Sequence, residues 1–378
     1  MKKLIYFDNA ATTIGKPECV SRAVLSALER YGNPGRSGHL LSSLAAGEIY
    51  NARESVCRIF GYDKPENVVF TFNTTYALNM AIKGYATKGC HILFSNLEHN
   101  SVIRPVHSLS KNQDLGITYN VFDVTGNETD IIYDFTSKIK PNTTIAVITL
   151  ASNICGKILP IAKIASVCRK RGILLICDAA QGAGCVPINV KALGIDVLCF
   201  AGHKGLYGPQ GTGGILFCNN KLPLPVIEGG NGTNSADKNM TGELPEMLEA
   251  GTLNTPGICG LAAGINYISK IGINEIYERG IYLIDNLTEK LMNIPGITLY
   301  GISSQRTPTL IFNKSGLLSE EITSIFNDRG ICVRGGFHCA PIGHLAFNTG
   351  GNGAVRASLS YKNTISEIDT FCQILNRI

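Results

Sequence analysis

Short apolar runs alternate with helix-length amphipathic segments through the first two thirds of the chain. The runs are rich in Val, Ile and Leu and predict strands at 68–72, 91–94, 144–150, 173–177, 195–200 and 214–217. The segments between them predict helices, for example over 73–83, ended by Gly84, and over 161–171, after Pro160. Strands of this composition bridged by helices indicate a largely parallel sheet that is buried on both faces. The sequence therefore predicts an α/β fold.

The pattern changes after about Gly257. Two long helical patterns are followed by short strands that enclose one further helix; the helices are 261–271, 273–292 and 320–329, and the strands are 309–312, 331–334 and 354–359. This mixture is typical of a smaller α+β unit. We therefore predict a large domain over 15–262 and a small domain formed by 1–14 together with 263–378.

Composition and charge narrow the class of protein. With 378 residues, 44% apolar and 17% charged, the chain is expected to be compact and enzyme-sized rather than disordered. The net charge of +5 is small and scattered, and the run Arg169-Lys170-Arg171 before Gly172 is typical of a helix C-terminus. We expect no nucleic-acid partner.

The start of the chain and its cysteines indicate the cellular compartment of the protein. No apolar stretch is long enough to cross a bilayer, and Met1 to Phe7 is too short for a signal peptide, so we expect a cytoplasmic protein without a membrane partner. The 13 cysteines are odd in number and irregularly spaced, which fits a reducing cytosol. No Cys-x-x-Cys occurs, and we expect no metal site.

Polar residues directly follow five of the predicted strands. In chain order they include Thr74 and Thr75, His99, Asn153, Asp178 with Gln181, and His203 with Lys204. Because ligands of parallel α/β sheets gather at the carboxyl ends of the strands, we expect these side chains on one rim.

These residue types fit pyridoxal phosphate (PLP). A lysine amine forms an imine with the cofactor aldehyde, and a carboxylate holds the pyridine nitrogen protonated, which makes the ring an electron sink. An imidazole can stack on the ring, and an amide can donate to its phenolic oxygen. Hydroxyls and backbone N–H groups at a helix N-terminus bind phosphate.

Each residue alone also has an ordinary interpretation. Asp178 could cap a helix, as could Thr74 and Thr75, and Lys204 could lie on the surface. His99 could be a hydrogen-bonded structural histidine, and Asn153 a turn residue. Their order along consecutive strand ends favours the cofactor site.

Longer motifs around these residues resemble a known family. They are Tyr6-Phe7-Asp8-Asn9-Ala10-Ala11-Thr12, Glu98-His99-Asn100, Ser152-Asn153, Asp178-Ala179-Ala180-Gln181, Gly202-His203-Lys204, Tyr207-Gly208-Pro209, Glu249-Ala250-Gly251-Thr252, the stretch from Val333 to Ala340, and Arg356-Ala357-Ser358-Leu359. Together they resemble the class V aminotransferase-like PLP enzymes of fold type I, and within them the cysteine desulfurase and selenocysteine lyase group. The resemblance extends from about Asp8 to Thr364.

The resemblance implies roles for the cofactor residues. Lys204 would carry PLP as a Schiff base, Asp178 would partner the pyridine nitrogen, and His99 would stack on the ring. The remaining implied contacts are Gln181 and Asn153 to the ring oxygen, Thr74, Thr75 and His203 to the phosphate, and Thr252 to the phosphate of a neighbouring subunit. The last contact implies a homodimer.

The resemblance also implies substrate contacts and shows one departure. Arg356 would grip the substrate carboxylate bidentately, with Asn153 and His39 as further substrate-binding residues. Family members commonly have Ser-Gly-His-Lys, whereas this chain has Ala201 at the serine position. One phosphate hydroxyl is therefore missing, which costs about 1 kcal/mol or more if nothing replaces it.

Cys339 decides between reactions. It lies in Arg334-Gly335-Gly336-Phe337-His338-Cys339-Ala340, a short form that resembles the group II branch, typified by the enzyme of the Suf system. The implied reaction converts L-cysteine to L-alanine. Lys204 removes the Cα proton, the Cys339 thiolate takes the sulfur as a persulfide, and an acceptor protein receives it.

Other functions stay open from the residues alone. An aminotransferase of this fold would not need Cys339, and a selenocysteine lyase would use the same site with L-selenocysteine. A zinc site at His338, Cys339 and His344 lacks a second nearby cysteine. A non-enzymatic thiol-rich scaffold would leave the strand-end residues unexplained.

Overall fold

The structure is a computed structural model that describes residues 4–35, 37–233 and 236–378. Residues 1–3 lie outside the described residues. They are the first residues of the predicted 1–14 segment and of the stretch that is too short for a signal peptide. In the described part of the chain, no helix has the length and apolar character needed to cross a membrane.

A seven-stranded sheet forms the centre of the molecule. Its strands are β2 (Val68–Thr71), β3 (His91–Ser95), β4 (Thr118–Phe122), β5 (Thr143–Thr149), β6 (Leu174–Asp178), β7 (Val197–Ala201) and β8 (Gly213–Phe217). The order is β2-β8-β7-β6-β5-β3-β4, and only β8 runs antiparallel to its neighbours. Strands β3, β7 and β8 are buried along their whole length. The prediction of a largely parallel, buried sheet is confirmed.

Strand β4 was not predicted from the sequence. It is an edge strand that pairs only with β3, and its first four residues are exposed or half-buried. Such a strand needs no continuous apolar run, so its sequence, Thr-Tyr-Asn-Val-Phe, carries a weak signal.

Helices connect the strands and cover the sheet. They are α1 (Glu18–Arg30), α2 (Leu40–Phe60), α3 (Thr74–Tyr85), α4 (Asn100–Lys111), α5 (Glu128–Ser137), α6 (Ile161–Arg171) and α7 (Val190–Leu193). Helix α6 has the predicted bounds and ends at Gly172, whose φ of 66° is left-handed as a C-terminal glycine allows. The prediction that Gly84 ends the preceding helix is wrong, because α3 continues to Tyr85. A Cβ at Gly84 would lie 2.6 Å from the Leu224 carbonyl oxygen, so glycine serves close packing there.

The last third of the chain mixes helices and short strands. They are α8 (Thr255–Ile271), α9 (Ile273–Met292), β9 (Ile297–Tyr300), β10 (Thr309–Lys314), α10 (Ser319–Asp328), β11 (Ile331–Cys332), α11 (Pro341–Ala346), β12 (Val355–Ser358) and α12 (Ile365–Asn376). Strands β12, β10 and β9 form an antiparallel sheet. Strand β11 pairs in parallel with β1 (Ile5–Tyr6), and Phe7 is buried in the hydrophobic core of this part. The domain division at 14/15 and 262/263 stays a prediction.

The predicted strand over 331–334 is shorter than expected. Only Ile331 and Cys332 are in a strand, and Arg334 instead forms an isolated antiparallel bridge with Arg356 of β12. The backbone N–H of Arg356 donates to the Arg334 carbonyl at 2.7 Å. This bridge ties the segment before Cys339 to the small antiparallel sheet.

Candidate active site

A cavity lies at the carboxyl ends of β3, β5, β6 and β7 and the start of α3. We call it the strand-end cavity. It is lined by eight of the predicted site residues, namely Thr74, Thr75, His99, Asn153, Asp178, Gln181, His203 and Lys204. The expectation that successive strand ends bring these side chains together therefore agrees with the geometry.

Lys204 follows the end of β7 and is half-buried. The glycines on either side of His203-Lys204 are tightly packed, because a Cβ at Gly202 would clash with Thr212 and one at Gly205 with the Ala183 carbonyl. Burial lowers the pKa of Lys204 to about 8, and nearby Arg356 adds to the shift while Asp178 opposes it. An amine in this setting is partly neutral near neutral pH and can accept a proton.

Asp178 ends β6 and is 3% exposed. Its Oδ1 accepts a hydrogen bond from the Ala180 N–H at 2.9 Å, and turns rather than an α-helix follow it, so the helix-cap interpretation is wrong. Burial raises the pKa of the carboxyl, whereas the Ala180 N–H and Lys204 lower it. A cationic partner would favour the ionised form of this buried acid.

Glu98 is a buried acid that the sequence showed only as part of a motif. Its side chain is fully buried; Oε1 accepts from the Ser95 hydroxyl at 2.6 Å and from the Thr149 N–H at 2.8 Å. Oε2 has no hydrogen-bond partner among the described residues. Burial raises the pKa of Glu98 to about 8, and the nearby Asp178 adds to the rise. The carboxyl is therefore neutral at pH 7, a state that the residue type alone does not predict.

His99 caps α4 and lines the cavity at the same time. Its Nδ1 accepts from the Ser101 N–H at 3.0 Å, which leaves the proton of the neutral ring on Nε2. Burial, followed by the charge of Lys204, lowers the pKa of His99 to about 4. The ring is neutral, so the structural interpretation is confirmed, and the predicted stacking on a cofactor stays a prediction.

The start of α3 forms the other end of the cavity. Asn73 caps the helix by accepting from the Tyr76 N–H at 3.1 Å, so the alternative that Thr74 or Thr75 caps it is wrong. The Thr74 hydroxyl is buried without a hydrogen-bond partner among the described residues, and Thr75 is exposed. Backbone N–H groups at such a helix start attract anions.

His203 and Ala201 lie on the same side. His203 Nδ1 is 3.1 Å from the Thr12 hydroxyl, and burial, with Lys204 and Lys16, lowers the pKa of His203 to about 4. Ala201 lines the cavity at the position where the resembling enzymes have serine and offers no hydroxyl.

Two amides join the cavity to other parts of the chain. Asn153 Nδ2 donates to the His338 carbonyl at 2.8 Å, and its Oδ1 has no partner among the described residues. Gln181 Nε2 donates to the Ala10 carbonyl at 3.0 Å. Asn153 is thus more than a turn residue, since it ties the cavity to the segment before Cys339.

Arg356 is 1% exposed and lies in β12. Nη2 donates to Asp8 Oδ1 at 2.6 Å, and Nη1 donates to the Asn153 carbonyl at 3.1 Å. Its Nε has no partner among the described residues. The guanidinium is therefore fixed on one side by the chain and retains N–H groups for an anion.

Cys339 is exposed in the segment 334–340, which we call the Cys339 loop. Its Sγ lies 4.0 Å from Arg334 Nη2, and its carbonyl accepts from the Asn100 N–H at 2.8 Å, next to His99. His338 and Cys339 have φ values of 52° and 58°. Left-handed backbone at residues other than glycine costs about 1–3 kcal/mol each, so surrounding contacts must hold this loop.

Thr252 and His39 do not line the strand-end cavity. Thr252 is exposed and lies at a separate cavity with Phe70 and Tyr76. His39 is exposed and caps α2, its Nδ1 accepting from the Ser42 N–H at 3.2 Å. Their predicted contacts to phosphate and substrate stay predictions.

The residues of the cavity fit PLP. Thr74 Oγ1 and Asn153 Oδ1 in the cavity, and Arg356 Nε next to Asn153, are buried polar atoms without partners in the described chain, and each suits a polar atom of the cofactor or of an amino-acid substrate. A zinc site is not supported, since no group of three His, Cys, Asp or Glu side chains within 4–35, 37–233 and 236–378 could hold a metal. His338 and His344 instead hydrogen-bond to each other.

Comparison with known proteins gives consistent results. The model of the family described as Aminotransferase class-V matches residues 5–371. A probable cysteine desulfurase from Methanothermobacter thermautotrophicus is 33% identical over 386 residues, which cover 99% of this chain and 94% of that protein. The apo structure of a cysteine desulfurase from Thermococcus onnurineus NA1 superposes with a TM-score of 0.90 at 31% identity and covers 99% of this chain and 94% of that one.

Some relatives are longer. Probable cysteine desulfurase 1 from Mycobacterium leprae is 31% identical over 386 residues, and the match covers 100% of this chain but 62% of that relative. The chain thus spans less than two thirds of the length of this relative.

Proposed function

The chain belongs to the class-V aminotransferase family, and from that membership we propose that it is a PLP-dependent cysteine desulfurase. The reaction would convert L-cysteine to L-alanine and leave the sulfur on Cys339. One observation carries the proposal: an exposed thiol lies on a loop whose backbone is hydrogen-bonded to Asn100, directly after His99, and to the cavity residue Asn153. An aminotransferase has no use for this thiol.

Eight cavity residues would hold the cofactor. Thr74, Thr75 and His203 would bind the phosphate together with the N–H groups at the start of α3. Asp178 would keep the pyridine nitrogen protonated, and the neutral His99 ring would stack on the cofactor. Gln181 and Asn153 would contact the ring oxygen, and Lys204 would hold the group covalently. Bound PLP supplies an electron sink for negative charge at the substrate Cα.

Lys204 would move the proton. Its pKa of about 8 leaves a useful neutral fraction at neutral pH, so the Nζ can take the proton from the substrate Cα once it is free. The carboxyl group of Asp178 stays unprotonated when a cation, such as a protonated pyridine nitrogen, faces it.

Cys339 would act as the nucleophile. As a thiolate, its Sγ forms a bond to the substrate sulfur while the substrate C–S bond breaks, and the electron pair of that bond stays with the three-carbon fragment. Protonation of the fragment gives alanine, and the persulfide on Cys339 passes to an acceptor protein. Arg334, whose Nη2 lies 4.0 Å from Sγ, provides positive charge beside the thiolate.

Arg356 would bind the substrate carboxylate. Asp8 and the Asn153 carbonyl fix its guanidinium, and N–H groups that remain free can form charge-assisted hydrogen bonds. His39 is exposed at the start of α2 and does not line the cavity of its own chain. It would therefore contact the substrate in the cavity of another subunit.

Further parts of the proposal concern the assembly and the branch of the family. The resemblance of the Glu249–Thr252 motif supports a homodimer in which the exposed Thr252 reaches the phosphate of the other subunit. The short Cys339 loop supports the group II branch. All thirteen cysteines are free, which suits the reducing cytoplasm.

Quantifying alanine tests the proposal. The purified protein with added PLP should release alanine from L-cysteine in the presence of a reductant, and a keto acid should not be required. Strict dependence on a keto acid would instead identify an aminotransferase. Faster alanine release from L-selenocysteine, with little from L-cysteine, would identify a selenocysteine lyase.

A further inference from the structure

Two buried histidines behind Cys339 have no part in the reaction described above. His338 and His344 are 3% and 1% exposed, and their rings are stacked with centroids 5.3 Å apart. His338 Nδ1 lies 3.1 Å from His344 Nε2, and His344 Nδ1 lies 2.8 Å from the Thr349 hydroxyl. At the other end, His338 Nε2 lies 3.0 Å from the Arg334 carbonyl oxygen. The four groups form one continuous chain of hydrogen bonds.

One carbonyl fixes the direction of every bond in this chain. The Arg334 carbonyl can only accept, so His338 must carry its proton on Nε2 and must accept at Nδ1. His344 then donates from Nε2 and accepts at Nδ1 from the Thr349 hydroxyl, which lies 2.8 Å from Nδ1 and 3.4 Å from its other acceptor, the His344 carbonyl. Because burial and Arg356 lower the pKa of both rings, both are neutral, and each carries its proton on Nε2.

The chain ends at the backbone that carries the thiol. The Arg334 carbonyl, which His338 holds, belongs to the residue whose Nη2 contacts Cys339 Sγ. The His338 carbonyl accepts from Asn153, and the Cys339 carbonyl accepts from Asn100. The backbone at both His338 and Cys339 is in the left-handed conformation. The His338 ring thus holds the Arg334 carbonyl, while the His338 carbonyl is bonded to the cavity residue Asn153.

From this geometry we infer that His338, His344 and Thr349 form a positioning chain that holds the Cys339 thiol in reach of the cavity. The inference rests on the proposed function, since it assigns these residues to the sulfur-transfer step. His338 and His344 act through Cys339 and do not touch substrate or cofactor. Removing the chain should impair sulfur transfer while leaving cofactor binding intact.

The surroundings of the two rings keep the chain intact over a wide pH range. The charged groups that face them are Arg334 and Arg356, and both disfavour a second positive charge. Burial and these arginines lower the pKa of His338 to about 2, and burial with Arg356 lowers that of His344 to about 4. Phe337 packs edge-on against the His344 ring.

A matched pair at His344 tests the inference kinetically. His344→Gln retains an amide N–H donor near the position of Nε2, whereas His344→Leu removes the donor and leaves His338 Nδ1 buried without a partner. In the PLP-loaded protein, His344→Leu should lower kcat for alanine release about tenfold with KM changed less than about twofold. His344→Gln should stay within about twofold of wild type, and the visible spectrum of the bound cofactor should be unchanged in both.

Equal losses in the two variants, no loss in His344→Leu, or a lost cofactor spectrum would overturn the inference. If His344→Leu does not fold, Thr349→Val and Thr349→Ser form a second pair that removes or keeps the terminal hydroxyl donor. The valine variant should be slower than the serine variant, and equal rates would count against the chain.

Nuclear magnetic resonance of the holoenzyme provides a readout that does not depend on activity. The chain has seven histidines, so selective ¹⁵N labelling gives a simple spectrum. His338 and His344, assigned through the variants, should both be neutral with the proton on Nε2 from pH 6 to 8. A proton on Nδ1 or a charged ring at either residue would overturn the inference. If wild-type protein releases no alanine from cysteine, the proposed function fails, and these spectra still decide whether the chain exists.

Discussion

The strand-end cavity and the Cys339 loop meet at Asn153 and Asn100 but are built differently. In the cavity, Asp178 ends β6 and Lys204 follows the neighbouring β7, and the pairing of these strands in the central sheet fixes their spacing. In the loop, the backbone is left-handed at two residues and is held by single contacts from other elements. The cavity is thus positioned by regular structure, and the loop by single hydrogen bonds from backbone and side-chain groups. This division suits a reaction in which the cofactor stays in place while the thiol must also meet an acceptor.

Lys204→Ala should have the largest effect, because it disables the cavity and leaves the loop unchanged. Alanine release should fall by roughly 10²–10⁴-fold, the usual contribution of a positioned base. Iodoacetamide should still alkylate Cys339 at the wild-type rate, as measured by peptide mass spectrometry. Lys157→Ala is the control, since burial also lowers the pKa of Lys157, which does not line the cavity, and it should retain most activity. Activity of Lys204→Ala near that of wild type would contradict the assignment.

Arg356→Lys should have the next largest effect, at the point where the two regions join. A point charge replaces a planar donor, so KM for cysteine should rise about 10- to 100-fold, as expected for one lost hydrogen bond to a charged group. The spectrum of bound cofactor should not change. Asp8→Asn is the control: it removes the negative charge beside Arg356 but retains the Oδ1 acceptor for Arg356 Nη2. Unchanged cysteine kinetics in Arg356→Lys would show that the carboxylate binds elsewhere.

Glu98→Gln should have the smallest effect on activity and a clear effect on stability. The folded protein prefers protonated Glu98, with a pKa of about 8 against an ordinary value of 4.5, so wild-type stability should be lost as pH rises between these values. The glutamine variant lacks this loss. Its free energy of unfolding should therefore exceed that of wild type by an amount that grows by about 1 kcal/mol for each unit that the pH rises in that window. Urea unfolding at several pH values measures it, with the exposed Glu128→Gln as control. A pH-independent difference would show that Glu98 is ionised in the folded protein.

The two regions also differ in how far the sequence predicts them. Apolar runs predicted the strands that end at Asp178 and before Lys204, because strands buried on both faces require such runs. The state of Glu98 was not predictable, since its raised pKa depends on burial beside Asp178. The contacts that position the Cys339 loop were not predictable either. His344 lies in α11 and Thr349 follows it, and only the fold of this segment brings them into a hydrogen-bonded chain with the loop. Regular structure leaves a pattern in the sequence, whereas contacts between single side chains do not.

The most direct test of the account follows the sulfur. Wild-type protein loaded with PLP and exposed briefly to cysteine without reductant should gain one sulfur atom on the peptide that contains Cys339. Cys339→Ala should bind PLP with the same spectrum, carry no added sulfur there and lose most alanine release from cysteine. Sulfur on another cysteine, such as the half-buried Cys332, or wild-type alanine release by Cys339→Ala, would contradict the account.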